Sequence, residues 1–289
     1  MPELPEVETT TKDLNKKVLR RVFFAFWTDT PGMVKKPKNI SQFKRELNKR
    51  KIEKVWRRGK NILFQLSKNK TLLIHQKISG HLLLGKWKRE NGSWQASSQA
   101  LIDKVNSFIH LIFVFDNNQM LALSDPRKFA KVELWDTDKL LQSEFFQKLG
   151  PEPLEENFTL EKFKQTIKNK TGKIKQVLMN QEIIAGIGNI YSDEILFKAK
   201  VSPLRKTSDL KEKELKQIYS AVKTILKQAI RLKGDSFSDY RTITGEKGRF
   251  QEKNAVYQKD GQKCRHCQTT IKKIKIGGRS AHYCPYCQK

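Results

Sequence analysis

Short apolar runs recur through the first half of the chain, with turn residues between them. The runs are Val22–Trp27, Asn61–Leu66, Thr71–His75, Ile109–Phe115, Met120–Leu123 and Lys131–Trp135. Runs of this length, separated by glycine, asparagine, aspartate or proline, are typical of strands in an antiparallel sandwich. The stretch Glu90–Asn106 is polar and predicts a surface loop.

A helix is predicted ahead of these strands. Val7, Leu14 and Val18 fall on one helical face, and Pro5 suits the first helical position. Acidic residues near its start, such as Glu6, favour the positive end of a helix dipole.

The pattern becomes helical after Gly150–Pro153. Apolar residues between 160 and 178 lie three and four apart, and a longer series continues to residue 230. Asp209 with Glu212 predicts a cap for this long helix, and Gly234 predicts its end. The sequence therefore predicts an α+β protein, with an N-terminal antiparallel β-sandwich and its leading helix followed by an all-α domain.

The charge balance points to a polyanionic partner. The 289 residues include 58 Lys and Arg against 30 Asp and Glu, a formal net charge of +28. The most apolar stretch, Phe108–Phe115, is eight residues long, whereas a membrane span needs about 20. The acidic start MPELPEVETT is unlike a secretory signal. These features predict a cytoplasmic protein whose partner is nucleic acid.

All four cysteines lie near the C-terminus as two closely spaced pairs, Cys264-x2-Cys267 and Cys284-x2-Cys287. Four thiolates at this spacing predict one tetrahedral Zn²⁺, structural because no coordination position stays open. Two disulfides are the alternative, which a reducing compartment disfavours. His266 is surplus to the ligand set and is predicted to lie on the surface. The lysines between the pairs indicate either a phosphate contact or a solvated basic loop.

Two further segments carry candidate chemistry. Gly186-Ile187-Gly188-Asn189 predicts a turn into a helix starting near Asn189, whose free amides could hold a phosphate. A plain helix–helix turn is equally consistent. At the other end, removal of Met1 would leave Pro2 with a secondary amine. An α-amino group has a pKa of about 7.7–8.0, well below about 10.4 for lysine, so it can act as a nucleophile beside Glu3. The alternative is a helix entry without chemistry.

Six ordered motifs together resemble one family. They are MPELPEVETT, IHQKISGHL (Ile74–Leu82), SDPRKFA (Ser124–Ala130), GPEPL (Gly150–Leu154), NQEIIAGIGNIYSDEIL (Asn180–Leu196) and the four-cysteine module. The chain thus resembles, over essentially its whole length, the bacterial formamidopyrimidine-DNA glycosylase family (Fpg or MutM). The PELPEVET start favours this branch over the endonuclease-eight-like relatives.

The resemblance implies a catalytic set and a DNA-contacting set. Pro2 matches the Schiff-base nucleophile, Glu3 the adjacent acid, Lys60 a lysine of phosphate binding and elimination, and Arg279 an arginine at the lesion phosphates. The implied DNA-contacting residues are Glu6, His75, Ile78, His110, Arg127, Phe129, Lys170, Lys175 and Asn189. Ile78, Arg127 and Phe129 match the wedge that fills the space left by a flipped base, with isoleucine where the family has methionine. Phe108 stands where the family has a histidine.

The implied organisation has four parts. They are a catalytic β-sandwich domain (1–137), a linker (138–153), a helical DNA-binding domain with a helix–two-turn–helix element (154–253) and a zinc finger (254–289). Within the third part, Gly234–Lys253 is expected to be a mobile loop near the everted base.

The implied activity is excision of oxidised purines, 8-oxoguanine and formamidopyrimidines, from duplex DNA, followed by β,δ-elimination. A monomer with one structural zinc is expected. Two alternatives stay open, an oxidised-pyrimidine glycosylase of the same superfamily and a non-enzymatic, zinc-containing nucleic-acid-binding protein.

Overall fold

The computed structural model describes all 289 residues and divides them into two compact units. One unit comprises residues 1–147 with 232–249, and the other comprises 148–231 with 250–289. The division differs from the expected boundaries, since residues 232–249 belong with the β-rich unit rather than with the helical domain. None of the helices is both long and apolar enough to cross a bilayer.

The first unit contains two facing sheets. Their strands are β1 (Phe23–Thr28), β2 (Val34–Lys36), β3 (Ile52–Arg58), β4 (Asn61–Leu66), β5 (Lys70–His75), β6 (His81–Gly85), β9 (Ile109–Phe115), β10 (Met120–Ser124) and β11 (Lys131–Asp136). One sheet has the order β1-β9-β10-β6 and the other β2-β11-β5-β4-β3. Phe23 and Phe113 of one sheet pack with Phe64 of the other in a shared core. The predicted sandwich is confirmed, and only the short β2–β11 pair is parallel.

The leading helix α1 (Leu4–Val18) is confirmed. Val7, Leu14 and Val18 are fully buried in the sandwich core. The helix begins one residue earlier than expected, so Pro5 occupies its second position. A second helix, α2 (Ile40–Leu47), buries Phe43 and Leu47 in the same core.

The predicted loop Glu90–Asn106 is wrong in its first part. Strands β7 (Trp87–Glu90) and β8 (Ser93–Ala96) form a hairpin around an Asn91-Gly92 turn, where both residues have positive φ. This dipeptide favours two-residue hairpin turns. Trp94 packs edge-on against Trp27 at a ring distance of 5.2 Å. Each strand of this hairpin has one tryptophan among mostly polar residues, so the composition of the segment predicts a loop although it forms a hairpin with one apolar side.

The remaining helices lie mostly in the second unit. They are α3 (Thr137–Leu141) and α4 (Glu144–Gln147) in the first unit, and α5 (Leu160–Ile167), α6 (Ile174–Met179), α7 (Asn189–Lys198) and α8 (Glu212–Arg231) in the second. The predicted cap of α8 is wrong. Asp209 ends a 3₁₀ turn, and the carboxylate of Glu214 accepts from the Lys211 N–H at 2.8 Å instead.

The segment Gly234–Lys253 is anchored over much of its length, which differs from the mobile loop expected there. Ile243 is buried in the sandwich core, and its carbonyl accepts from the Leu84 N–H at 2.8 Å. Arg241 is buried and pairs with Asp103 at 3.0 Å. Its exposed residues fall in two stretches, one at Phe237 and Ser238 and one scattered between Thr244 and Lys253.

Candidate active site and metal centre

The N-terminal residues are held by the start of α1. Met1 is 40 % exposed, whereas Pro2 and Glu3 behind it are buried. Glu3 is the N-cap of α1 and forms a capping box with Glu6, whose carboxylate accepts from the Glu3 N–H at 2.7 Å. The helix start therefore fixes the backbone that carries Pro2 and Glu3.

Glu6 also grips a segment more than 200 residues away. Its other carboxylate oxygen accepts from the Asp235 N–H at 2.8 Å, and its carbonyl accepts from the Tyr240 hydroxyl at 3.3 Å. Gly234 permits this approach, because its φ is +83° and a Cβ there would lie 2.6 Å from Oε1 of Glu6. Glu6 thus joins the N-terminus to the segment 232–249. Burial raises the pKa of Tyr240 well above its ordinary value.

Lys60 lies in the turn between β3 and β4, at the same end of α1 as the N-terminus. Along β3, Val55 donates to Asn15 of α1, and further on Arg57 donates to Glu8 at 2.8 Å. The strand therefore runs toward the start of the helix and delivers Lys60, largely buried, to that end. Although burial opposes ionisation, Arg57 and Lys12 hold the pKa of Glu8 below its usual range.

His75 ends β5 as a neutral imidazole. Its Nδ1 accepts from the Lys77 N–H at 2.9 Å, which leaves the proton on Nε2. Burial lowers the pKa of His75 to about 3, and the charges of Lys77, Lys131 and Lys60 act in the same direction. The side chain can therefore donate a hydrogen bond to a ligand without carrying a charge.

The three predicted wedge residues lie on adjacent loops of the β unit. Ile78 is 36 % and Phe129 50 % exposed, and Arg127 stacks on Phe129 at 4.9 Å. A buried carboxylate, Asp125, holds the loops together. It accepts from the Ser79 hydroxyl at 2.5 Å and from the Ala130 N–H at 2.8 Å.

Asp125 was missed by sequence reasoning. An acidic residue inside the basic motif SDPRKFA was the available signal. His110, predicted to contact DNA, is paired within the chain, with Nδ1 2.9 Å from Oδ1 of Asp29.

In the second unit, α7 begins as predicted at Asn189, with Gly188 as its N-cap. Gln181 shapes the preceding turn, because its side chain donates to the Ile187 carbonyl and accepts from the Gly186 N–H, at 2.8 and 2.9 Å. Oδ1 of Asn189 is shielded from solvent and makes no hydrogen bond within the chain. Lys170, by contrast, is exposed on the loop after α5.

Lys175, which the family resemblance assigns to a DNA contact, is enclosed within the second unit. Its side chain is 0 % exposed, and its ammonium donates to Asp193 at 2.5 Å and to Ser192 at 3.1 Å. The second oxygen of Asp193 accepts from both the backbone N–H and Nδ1 of His282, at 2.9 and 3.0 Å. A buried carboxylate of α7 thus joins α6 to the C-terminal hairpin.

Arg279 opens the second strand of that hairpin, β12 (Lys272–Ile276) and β13 (Arg279–Tyr283). Arg279 is exposed and directly follows the Gly277-Gly278 turn. Gly277 has φ +54° and lies against Gln176 of α6, where a Cβ would collide with the amide. The hairpin is therefore fixed at its tip by α6 and at its base by Asp193.

The four cysteines converge on one point. Their Sγ atoms all lie within 4.8 Å of one another, with Cys264 and Cys287 3.9 Å apart and Cys267 and Cys284 3.4 Å apart. A tetrahedral zinc with bonds of about 2.3 Å places its sulfurs about 3.8 Å apart, so the cluster fits this metal. His266 lies on the surface as predicted and packs on the ring of Phe197.

Glu194, next to Asp193, supports the metal site from α7. Its carboxylate accepts from the backbone N–H groups of Ala255, Val256 and Tyr257 at 2.8–3.0 Å. Burial raises its pKa despite these three donors. The chain entering the cysteine cluster is thereby tied to the helix that begins at Asn189.

Comparisons with known proteins agree with this architecture. Residues 1–132 match the formamidopyrimidine-DNA glycosylase N-terminal domain, 149–241 the H2TH domain of the same enzymes, and 261–289 a zinc finger found in FPG and IleRS.

Whole-chain relatives give the same result. A formamidopyrimidine-DNA glycosylase from Listeria innocua is 38 % identical, with 100 % of both chains covered. A Lactococcus lactis FPG variant in complex with DNA containing Fapy-dG has a TM-score of 0.86 at 34 % identity, again covering 100 % of both chains. MutM bound to DNA containing carbocyclic 8-oxo-G has a TM-score of 0.85 at 33 % identity and covers 100 % of both chains. The chain belongs to the formamidopyrimidine-DNA glycosylase family.

Proposed function

We propose that this protein is a DNA glycosylase that excises oxidised purines from duplex DNA and then cleaves the strand at the resulting site. The observation that carries the proposal is the N-terminus, where Pro2 and Glu3 are fixed at the start of α1 by the Glu6 carboxylate. A protein that only binds nucleic acid has no need of a positioned secondary amine. The solved relatives in complex with Fapy-dG and 8-oxo-G DNA support the substrate class.

In the first step, the lone pair of the Pro2 nitrogen, freed by removal of Met1, attacks C1′ of the flipped nucleotide. The glycosidic bond breaks, and its electron pair leaves with the base, which takes up a proton. Glu3 transfers the proton that opens the sugar ring, and an iminium forms between Pro2 and C1′. Because Pro2 is a secondary amine, this intermediate carries a fixed positive charge and draws electrons from C2′.

The iminium then directs two eliminations. Loss of a C2′ proton releases the 3′ phosphate, and a second proton loss releases the 5′ phosphate, which leaves a one-nucleotide gap with phosphates at both ends. Lys60 and Arg279 are proposed to bind the departing phosphates. Cations at these positions stabilise the developing negative charge on the leaving groups.

Binding of the bent duplex is proposed to use separate groups. Ile78, Arg127 and Phe129 form the wedge, and Lys170, Asn189 and neutral His75 contact the backbone. Apolar wedges stabilise the unstacked step, and phosphate contacts position the duplex. Zinc bound by the four cysteines cross-links the hairpin that carries Arg279 and has no open position for chemistry.

Borohydride trapping tests the reaction. A duplex with 8-oxoguanine opposite cytosine is incubated with enzyme and borohydride, which reduces an iminium to a stable amine. We expect a covalent adduct whose DNA-bearing peptide maps to Pro2. A protein that binds this duplex tightly but yields no adduct is a non-enzymatic binder, which contradicts the proposal.

Two controls sharpen the result. Glu3→Gln preserves the shape of the N-cap and removes its acid, so excision should fall while trapping on a preformed abasic site persists. A parallel duplex with thymine glycol separates the superfamily alternatives. Faster excision of thymine glycol than of 8-oxoguanine would assign the protein to oxidised pyrimidines.

A further inference from the structure

The second unit contains a cavity that the proposed reaction does not use. It has a volume of about 550 Å³ and lies where the C-terminal end of α7 and the side of α8 meet the cysteine module. The residues that shape it include Phe197, Lys198, Lys200, Lys253, Arg265 and Tyr286. Cavities of about 300–1,000 Å³ are the usual size for small-molecule sites.

The rim of the cavity is strongly cationic. Lys198, Lys200, Lys253 and Arg265 are exposed, and none of them takes part in an ion pair within the chain. The one carboxylate in the lining, Glu194, already accepts three backbone N–H groups. Uncompensated cations around a concavity concentrate the field and select an anionic ligand.

The wall of the cavity offers aromatic surface. Tyr286 is 64 % exposed, with Lys289 5.2 Å above its ring. His266 is also exposed and packs on Phe197, which is buried. Exposed rings beside cations bind bases by stacking while the cations hold phosphates.

The cavity is distant from the proposed phosphate contact at Asn189. Asn189 begins α7, and Lys198 is the tenth and last residue of that helix. Ten helical residues span about 15 Å, so the two sites lie at opposite ends of α7. The cavity is therefore separate from the proposed phosphate contact at Asn189.

We propose that this cavity binds a nucleoside phosphate, with the base against Tyr286 and the phosphates at Lys198 and Lys200. The combination of an aromatic wall, a cationic rim and a volume of about 550 Å³ fits both halves of such a ligand. An inorganic anion would use only the rim, and an uncharged nucleoside only the wall.

Fluorescence anisotropy of a methylanthraniloyl-labelled ADP, titrated with the zinc-loaded protein in the absence of DNA, measures the binding. Unlabelled ADP should displace the probe at concentrations at least tenfold lower than adenosine or inorganic phosphate. Equal displacement by phosphate would reduce the cavity to a plain anion site and overturn the proposal. No binding of the probe at millimolar protein and nucleotide would overturn it as well.

Variants locate the site. Lys198→Gln with Lys200→Gln should weaken binding about tenfold or more, since contacts to charged phosphates are lost. Tyr286→Ser should weaken it about fivefold or more through loss of stacking. The matched control, Lys213→Gln with Lys227→Gln, removes the same charge from exposed positions on α8 outside the cavity and should leave binding unchanged.

A final comparison separates the cavity from the proposed DNA surface. Arg279→Ala should leave ADP binding intact. If Arg279→Ala loses ADP binding and Lys198→Gln/Lys200→Gln retains it, the nucleotide binds on the DNA surface, which would refute the cavity as its binding site. Because the assay contains no lesion, its outcome is independent of whether the glycosylase proposal holds.

Discussion

Asp193→Asn should destabilise the helical unit selectively. The Asp193 and Lys175 side chains are both 0 % exposed, with 2.5 Å between their charged atoms. Neutralising the carboxylate removes the charge that faces a buried ammonium, a change of about 3–5 kcal/mol in the free energy of unfolding. Domains typically have only about 5–15 kcal/mol of stability in total. The substitution should therefore remove a large share of the stability of this unit.

Two optical signals separate the units in one urea titration of the zinc-loaded protein. All five tryptophans, at positions 27, 56, 87, 94 and 135, lie in the β-rich unit, so their fluorescence follows that unit. More than half of the α-helical residues belong to α5–α8 of the other unit, so circular dichroism at 222 nm reports mainly on that unit. We expect the dichroism transition to move to lower urea while the fluorescence transition stays.

The double variant Asp193→Asn with Lys175→Met provides the control. Removing the ammonium as well should recover a substantial part of the lost stability, although the double variant lacks the original ion pair. A loss below about 1 kcal/mol in Asp193→Asn, or no recovery in the double variant, would refute the view that Asp193 is the counter-charge of Lys175.

Three other predictions follow from the geometry. Gly234→Ala should slow excision of 8-oxoguanine severalfold and lower the melting temperature, because a Cβ there would lie 2.6 Å from the Glu6 carboxylate. The control is Gly261→Ala, at a positive-φ glycine with open space around it, which gives the effect of backbone strain alone. Equal effects of the two variants would contradict a role for the contact with Glu6. His75, whose pKa is lowered to about 3, takes up a proton more readily in the unfolded chain, so stability present above about pH 6.5 should fall as the pH drops toward 3. His75→Gln should flatten that fall in acid titrations of unfolding, and an unchanged slope would show that the ring is protonated in the fold. Chelation of zinc should abolish binding of duplex DNA measured by anisotropy while tryptophan fluorescence stays native, since the cysteines hold only the second unit; persistent binding would separate the hairpin from DNA recognition.

Local pattern was enough for much of this fold. The apolar face of α1, six of the sandwich strands and the turn into α7 were predicted from spacing alone, because each depends on neighbours in sequence. Strand β3 was missed because its buried positions Ile52 and Val55 are three residues apart, with two charged residues between them, which is not the period of a strand. The hairpin of Trp87 and Trp94 was missed because its other positions are mostly polar.

The candidate site divides in the same way. The cysteine spacing alone predicted the cluster that the structure shows. Each pair of cysteines lies in one short loop, so only two loops have to meet to supply four ligands to one metal. The burial of Lys175 could not be predicted because it depends on Asp193, a residue 18 positions further along, in a different helix. Pairings between distant residues leave no trace in periodicity.

The chain order of the β-rich unit has a consequence for its synthesis. Ile243 completes the sandwich core, and Asp235 binds the Glu6 carboxylate, yet both leave the ribosome after residues 148–231 of the other unit. Part of the sandwich core therefore stays uncovered on the nascent chain until residues 148–231 have been translated. Non-local closure of this kind slows folding. A chain that terminates before residue 232 lacks residues 232–249 of the β-rich unit and 250–289 of the other, so the part of the sandwich core that Ile243 covers stays exposed.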